Sequence, residues 1–288
     1  MVLPTSISDA LVAIDYGQPD SVSPVAGGSI SEAWQLNFAD GRKVFVKSHG
    51  SPPPGFFEAE AQGLSALART GAIRTPQPLA VASNYLAMEW LDGARARDYW
   101  PRFGEQLAGL HRHTAEAFGF AGDNYCGLTP QPNPQVADGF RYFREARLLY
   151  QGRLALAAGL LDQHDFEALA YVADHLEDWV PAQPASLLHG DLWSGNAHCG
   201  PRGEPVLVDP AAHFGWHEAE LAMTLLFGGF PQAFYESYKG ASQCDPEWAS
   251  RADIYNLYHL LNHLNLFGGG YLGSVRSTLA RYRKKPRR

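Results

Sequence analysis

Two polar loops, each fed by a short apolar run, set the strongest limit on how this chain can fold. The first is Leu187-Leu188-His189-Gly190-Asp191-Leu192-Trp193-Ser194-Gly195-Asn196, and the second follows as Val206-Leu207-Val208-Asp209-Pro210. Asn196 stands five residues after Asp191, and Asp209 thirteen residues after Asn196. A fold that gathers these three has the order of parts of a kinase-type phosphotransfer site. One Asp accepts the proton of an attacking hydroxyl, while an Asn and a second Asp hold magnesium on the phosphates of ATP. The residue types suit that chemistry. Hard cations take oxygen ligands, and a transferring phosphoryl group needs its charge neutralised while nucleophile and leaving oxygen stay in line. Asp-x4-Asn by itself says little, because both residues favour turns and a hairpin could use them only as caps. The His-Gly before the loop and the strand with its Asp after it carry the assignment.

Upstream, the pattern reads strand, glycine turn, strand, turn, strand. Pro24-Val25-Ala26-Gly27-Gly28-Ser29-Ile30 precedes the mixed run from Ala33 to Phe38; Asp40-Gly41 makes a turn, and Lys43 to Lys47 is a further strand. Gly27 and Gly28 could let backbone amides approach the ATP phosphates unobstructed, and Lys47 at its strand end could reach the α- and β-phosphates. A lone Gly-Gly is a turn and a lone strand-end lysine an edge residue; their position relative to Asp191 gives them weight. A short helix is expected over residues 8–14, capped by Ser6 or Ser8. After the proline-rich stretch 51–55, helical spacing runs from Phe56 to Arg69 with Glu58 and Glu60 in its first turns. Glu60, one turn before Leu64, is the preferred partner for Lys47, although both acids could merely serve the helix dipole. Strands at 79–81 and 85–91 flank Ser83-Asn84. Backbone groups around Glu89 and Leu91 are the expected adenine contacts, on position alone.

Beyond Asp92-Gly93 the spacing turns helical, over 103–113, 139–151, 165–179, 217–226 and 254–267. His111 reads as a buried packing and hydrogen-bonding residue. The Gly-, Pro- and Asn-rich stretch 119–134 is long for a structureless connection and is a candidate binding loop. Glu218 or Glu220 could brace the Asp191 loop, or be solvated acids in a first helical turn. His259, Asn262 and His263 recur at helical spacing. Without the Glu of H-E-x-x-H they read as a polar face toward a cleft, with His263 a candidate acceptor contact, and not as a metal pair.

Composition removes other classes. With 45% hydrophobic and 18% charged residues, the 288-residue chain reads as an ordinary soluble globular protein, one large domain or two intimate lobes. A net charge of −7 argues against a general nucleic-acid binder, and the basic stretch 281–288 reads as a solvated terminus. Cys126, Cys199 and Cys244 are odd in number and form no CxxC pair, which fits reduced thiols and neither a disulfide framework nor a zinc site. There is no signal-peptide pattern and no apolar run of about 18 residues, so no membrane span is expected and the expected address is the cytoplasm.

The octapeptide His189 to Asn196 resembles the signature loop of the fructosamine kinase (ketosamine 3-kinase) family. Supporting matches run over nearly the whole chain, among them Gly27-Gly28-Ser29-Ile30, Val44-Phe45-Val46-Lys47, Phe118-Gly119-Phe120, Asp209-Pro210-Ala211, Glu220-Leu221-Ala222-Met223-Thr224 and Tyr258 to His263. The resemblance implies an α+β, bilobal, protein-kinase-like fold similar to aminoglycoside phosphotransferases. Residues 1–91 would form a small N-lobe with an antiparallel sheet and one main helix, and residues 92–288 a larger, mainly helical C-lobe. It implies ATP- and Mg2+-dependent phosphorylation of a ketosamine hydroxyl, on small molecules or glycated proteins, after which the adduct decomposes and releases the amine. Asp191 would be the base, Asn196 and Asp209 the magnesium ligands, Lys47 the phosphate-binding lysine oriented by Glu60, and Gly27, Gly28 and Ser29 the phosphate cover. Trp193 either offers an apolar face to the sugar adduct or anchors its loop in the core.

This chain departs from the family pattern at His213, Trp216 and His217, in a region expected close to the acceptor. Ser29 stands where some relatives carry a redox-switching Cys, and neither a DFG Phe nor an A-P-E segment is present, so neither redox switching nor a phosphorylated activation loop is expected. Ribulosamines are the first choice of acceptor. A kinase for another amine-bearing acceptor, aminoglycoside- or choline-like, is the alternative, and a nucleotide-binding pseudokinase a third; monomer and homodimer are both open.

Overall fold

The computed structural model describes residues 5–25 and 31–282. Helix α1 (Thr5–Ala13) leads into strands β1 (Ser21–Pro24), β2 (Glu32–Asn37) and β3 (Lys43–Ser48), helix α2 (Phe56–Arg69), and strands β4 (Pro78–Ala82) and β5 (Tyr85–Glu89). The strands form one antiparallel sheet in the order β1-β2-β3-β5-β4. Alternation divides its faces. Val44 and Val46 of β3 pack with Trp34, Leu36, Tyr85 and Ala87 against Ile7 and Leu11 of α1. Phe45 joins Leu86 and Met88 on the other face, against Phe57, Ala61 and Leu64 of α2. Lys47 shares the parity of Phe45, so the pleat that buries the valines turns the lysine toward α2.

The remainder is mainly helical: α3 (Tyr99–His111), α4 (Gly139–Tyr142), α5 (Tyr150–Ala157), α6 (Gln163–Asp174), α7 (His217–Leu226), α8 (Gln232–Ala241), α9 (Ala252–Phe267) and α10 (Leu272–Tyr282). Short strands sit among them: β6 (Thr114–Ala115), β7 (Asn124–Cys126), β8 (Thr129–Gln131), β9 (Ala185–Leu188), β10 (Ala197–Cys199), β11 (Pro205–Leu207) and β12 (His213–Gly215). They pair as two hairpins, β7-β8 and β10-β11, and a small sheet β12-β9-β6. A π-helical segment, Phe143–Leu149, joins α4 to α5. Helix α9 runs through the core with 11 of its 16 residues buried. That burial all round explains why His259 and Asn262 lie inside and do not form a solvent-side polar stripe. The bilobal α+β architecture is the one the sequence implied.

Several expectations shift. Helix α1 starts at Thr5, so neither Ser6 nor Ser8 is its cap. Helix α3 begins four residues before Phe103 because Pro101 is accommodated in the first turn, where its missing N–H is not needed. The stretch 119–134 is no open loop. It holds the β7-β8 hairpin, whose buried side chains bond the chain after Asp209: Asn124 Nδ2 donates to the Ala212 carbonyl (2.8 Å) and Gln131 Nε2 to that of Ala211 (3.0 Å). Helices α8 and α10 were not anticipated at all.

Candidate active site

The Asp191 loop leaves β9 through His189-Gly190 and ends at Asn196, where β10 begins. Gly190 has φ of 87°, and a Cβ there would lie 2.1 Å from the Ala211 carbonyl oxygen, so only glycine fits this close crossing of the two loops. His189 is fully buried. Its Nε2 donates to the Val208 carbonyl (2.8 Å), and its Nδ1 accepts from the Asp191 amide (3.3 Å), which fixes the neutral Nε2–H tautomer. One side chain thus ties the loop to the strand that delivers Asp209.

From below, Glu220 on α7 accepts from the amides of His189 (3.1 Å) and Gly190 (2.6 Å). His111 Nε2 donates to the same carboxylate (2.9 Å), and Tyr238 O–H donates to His111 Nδ1 (2.7 Å). Burial alone would raise the Glu220 carboxyl. The hydrogen bonds from His111 and from the Gly190 amide outweigh it and hold the group below the usual range. Of the two acids at the start of α7, Glu220 braces the loop; Glu218 is taken by Arg251, with two contacts of 2.6 Å.

Asp191 itself is pushed up to about 7, first by burial, then by the neighbouring charges of Asp209 and Glu220; a hydrogen bond from Asn196 opposes the rise. Asn196 Nδ2 donates to the Asp191 carbonyl (2.8 Å) and approaches its Oδ2 (3.4 Å), leaving Oδ1 as the amide's free acceptor. The Val208 amide donates to the Asn196 carbonyl (3.3 Å), which couples the two loops a second time. Asp209 adopts the left-handed conformation, φ of 58°, tolerated by Asp better than by most residues. It makes a close ion pair with Lys47, and Lys47 Nζ also meets Glu60 Oε1 at 2.7 Å. Among the described residues Glu58 has no such contact. Burial would strip the Lys47 proton, but Asp209 and then Glu60 outweigh it and hold the ammonium charged. Across the joint, α2 packs on the Asp209 loop, with Gly63 against Pro210 and Ala212.

Lys47, Glu60, Asp191, Asn196 and Asp209 therefore line one cleft of about 300 Å³, together with Trp193 and His263. Trp193 is 39% exposed while its neighbour Leu192 is fully buried, so Leu192 and not Trp193 anchors the loop. The Trp193 ring meets Phe227 edge-on (6.2 Å), and His263, whose Nδ1 donates to the His259 carbonyl (2.8 Å), lies 4.9 Å from the same Phe227. The polar floor and aromatic rim suit an acceptor with hydroxyls and an apolar face.

Other expected residues lie elsewhere. Gly27, Gly28 and Ser29 fall outside the described residues. Glu89 and Leu91 do not line this cleft. The Glu89 amide donates to Gln77 O (2.9 Å) and its carboxylate pairs with Arg74 (2.5 Å), while the Leu91 carbonyl accepts from His198 Nε2 (2.7 Å). His213, Trp216 and His217, expected close to the acceptor, do not line this cleft. His213 is buried under the loop, its Nδ1 donating to Ala211 O (3.0 Å); Trp216 is packed among Phe140, Phe143 and Tyr255; His217 sits beside His111. Asn124 and Gln131 lie in stretches that match the family pattern, Asp123-Asn124-Tyr125 and Thr129 to Asn133, but sequence reading gave them no role; they hold the segment after Asp209.

A strand lysine paired to a helix glutamate, set above an Asp-x4-Asn loop and a second Asp, defines the protein-kinase-like class of phosphotransferases. The chain belongs to the fructosamine kinase family, whose pattern it matches over residues 7–285. It is 45% identical over 267 residues to a probable ketoamine kinase of Synechocystis, covering 88% of each chain. It is 37% identical over 280 residues to the chloroplastic protein-ribulosamine 3-kinase of Arabidopsis thaliana, covering 92% of this chain and 83% of that one. A crystal structure of a protein provisionally named fructosamine-3-kinase from Thermobifida fusca superimposes with a TM-score of 0.89 at 31% identity, covering 98% and 99% of the two chains. The fold extends to the aminoglycoside phosphotransferase APH(4)-Ia, with a TM-score of 0.61 at 18% identity over 96% and 98% of the two chains.

Proposed function

We propose that this chain transfers the γ-phosphoryl group of ATP to a hydroxyl of a ketosamine, the adduct left when a sugar adds to an amine and rearranges. The supporting observation is that Lys47, Asp191, Asn196 and Asp209 line a single cleft. In this reading Asp191 accepts the proton of the acceptor hydroxyl. A carboxyl raised to about 7 has the basicity that a general base needs near neutral pH. The oxygens of Asn196 and Asp209 suit a hard cation, since the Asn196 amide nitrogen is already committed to Asp191 and its Oδ1 is free. Those two residues would hold magnesium, which when bound neutralises phosphate charge. Lys47, kept protonated and aligned by Glu60, binds the α- and β-phosphates; Gly27, Gly28 and Ser29 cover them, and the chain around Glu89 and Leu91 receives the adenine. Trp193 and His263 face the acceptor.

Ribulosamine-type adducts, on small amines or on proteins, are the favoured acceptors, in line with the name of the Arabidopsis relative. Phosphorylation would then release the amine, a deglycation activity. Incubation with magnesium-ATP and a panel of ribulosamines, fructosamines, aminoglycosides and choline, with the phosphorylated carbon located by NMR, tests this. Transfer to a ketosamine hydroxyl is expected. Transfer to an antibiotic or choline with none to any ketosamine would overturn the acceptor assignment.

A further inference from the structure

At the floor of the cleft, three side chains from three separate elements converge: Cys126 at the end of β7, Asp191 in its loop, and His259 in the middle of α9. One ligand atom from each, the Cys126 sulfur, a carboxylate oxygen and an imidazole nitrogen, lies within 4.8 Å of the other two. His259 Nδ1 stands 3.9 Å from Asp191 Oδ1. That nitrogen is buried and has no hydrogen-bond partner among the described residues, in a residue only 6% exposed. Buried polar atoms are rarely left so, and this one is aimed at a thiol and a carboxylate. Cys126 and Asp191 also line the cleft, which is the side from which an ion would enter. Asn262 Nδ2 donates to Cys126 Sγ (3.3 Å), the kind of outer hydrogen bond that steadies a thiolate ligand.

We propose that Cys126, Asp191 and His259 form a binding site for a thiophilic divalent ion, zinc above all, and that its occupancy shuts off phosphotransfer by taking up the Asp191 carboxylate. The ligand types decide the ion. Sulfur, imidazole and carboxylate together are a zinc set, with a fourth position open toward the cleft, whereas magnesium prefers oxygen donors and would stay at Asn196 and Asp209. Ligand atoms around zinc sit about 3.3–3.8 Å apart, so the Asp191–His259 pair is nearly in place and the widest separation must close by about 1 Å. Burial, with the Asp191 charge, pushes the Cys126 thiol well up, so it is protonated in the free protein. Binding therefore replaces the S–H bond with an S–Zn bond and releases one proton to solvent. The spacing of the three cysteines gave no hint of this, because each ligand comes from a different part of the fold. His217, Glu218 and Cys244 also approach one another, but both Glu218 oxygens are engaged by Arg251, which makes Cys244 a useful control.

The inhibitory half rests on the reading of Asp191 as the base; the binding half does not. Cobalt(II) is added to the full chain in excess magnesium, and zinc is titrated into the phosphotransfer assay. One equivalent of cobalt should give a thiolate-to-cobalt charge-transfer band that C126A abolishes, H259Q weakens and C244A leaves alone. Stoichiometric zinc should silence the unmodified protein. C126A, read against its own zinc-free rate, should need roughly a hundredfold more. The absence of the band, its persistence in C126A, or equal zinc sensitivity of C126A would overturn the site. If C126A does not fold, H259Q decides by the same band. A Cys126-dependent band without inhibition would retain the metal site and overturn the inhibitory claim; the role of Asp191 as base is decided apart from this, by the turnover of D191N without added zinc.

Discussion

Asp191 is held where its charge is unwelcome. Burial, Asp209 and Glu220 all oppose ionisation and only the Asn196 hydrogen bond favours it, so the carboxyl is raised from 3.8 to about 7. A raised folded-state pKa means that the folded protein binds the proton more tightly than the unfolded chain does. As pH rises, the unfolded chain ionises first, near 3.8, and stability falls from there until the folded group ionises near 7. The full penalty applies above pH 7 and vanishes below pH 4. Replacing Asp191 by Asn removes the charge and keeps the shape. We expect D191N to melt at a higher temperature than the unmodified protein at pH 8, with the gap closing toward pH 4. Equal melting temperatures at pH 8 would mean that Asp191 ionises without cost. On the proposed role of Asp191 as base, this is stability given up at a reacting group, a common trade.

At the scale of elements, the loops are held by side chains delivered from elsewhere. Helix α7 supplies Glu220, which accepts from two loop amides and from His111. Glu220→Ala would leave those donors unpaired in the interior. It should cost about 3–5 kcal/mol of stability, measurable by denaturant titration, and lower turnover even where the protein stays folded. A change below about 1 kcal/mol would show that the loop holds its shape without the brace. How much of this was legible depends on where the determining forces lie. Lys47 could be placed because alternation along a strand is local, and Glu60 because its helix face follows from Leu64. The Asp191, Asn196 and Asp209 set was readable because their chemistry limits residue type and spacing. Helix α8 escaped notice because its apolar residues answer to α3, far back in the chain; α10 packs mainly on the neighbouring α9 and was simply overlooked. The β7-β8 hairpin was hidden for a related reason: buried Asn124 and Gln131 look like loop residues until their carbonyl partners 88 and 80 residues away are known.

For the molecule as a whole, the two lobes meet at both ends of the cleft. Arg74 binds Glu204 (2.6 Å) and Glu89 (2.5 Å) on one side, its carbonyl accepting from the Leu207 amide (2.9 Å). Tyr125 O–H donates to Pro54 O (2.8 Å) on the other. A nucleotide bound between lobes joined in this way should stabilise the whole chain cooperatively. A non-hydrolysable ATP analogue at a hundredfold excess over its Kd should add about 2.7 kcal/mol, a shift of several degrees in melting temperature. Removing magnesium with a chelator should shrink that shift, and D209N should make it insensitive to the chelator. A shift equally large with and without magnesium would disconnect Asp209 from metal binding. No described helix is long and apolar enough to cross a membrane.

The central claim is that one cleft performs the transfer and that Asp191 acts during it. The most direct measurement is ketosamine-dependent ADP formation by the unmodified protein and by D191N, with nucleotide affinity measured alongside. Turnover should fall by about three orders of magnitude or more in D191N while nucleotide affinity stays within a few-fold. Near-normal turnover in D191N, with the nucleotide still bound, would contradict the account.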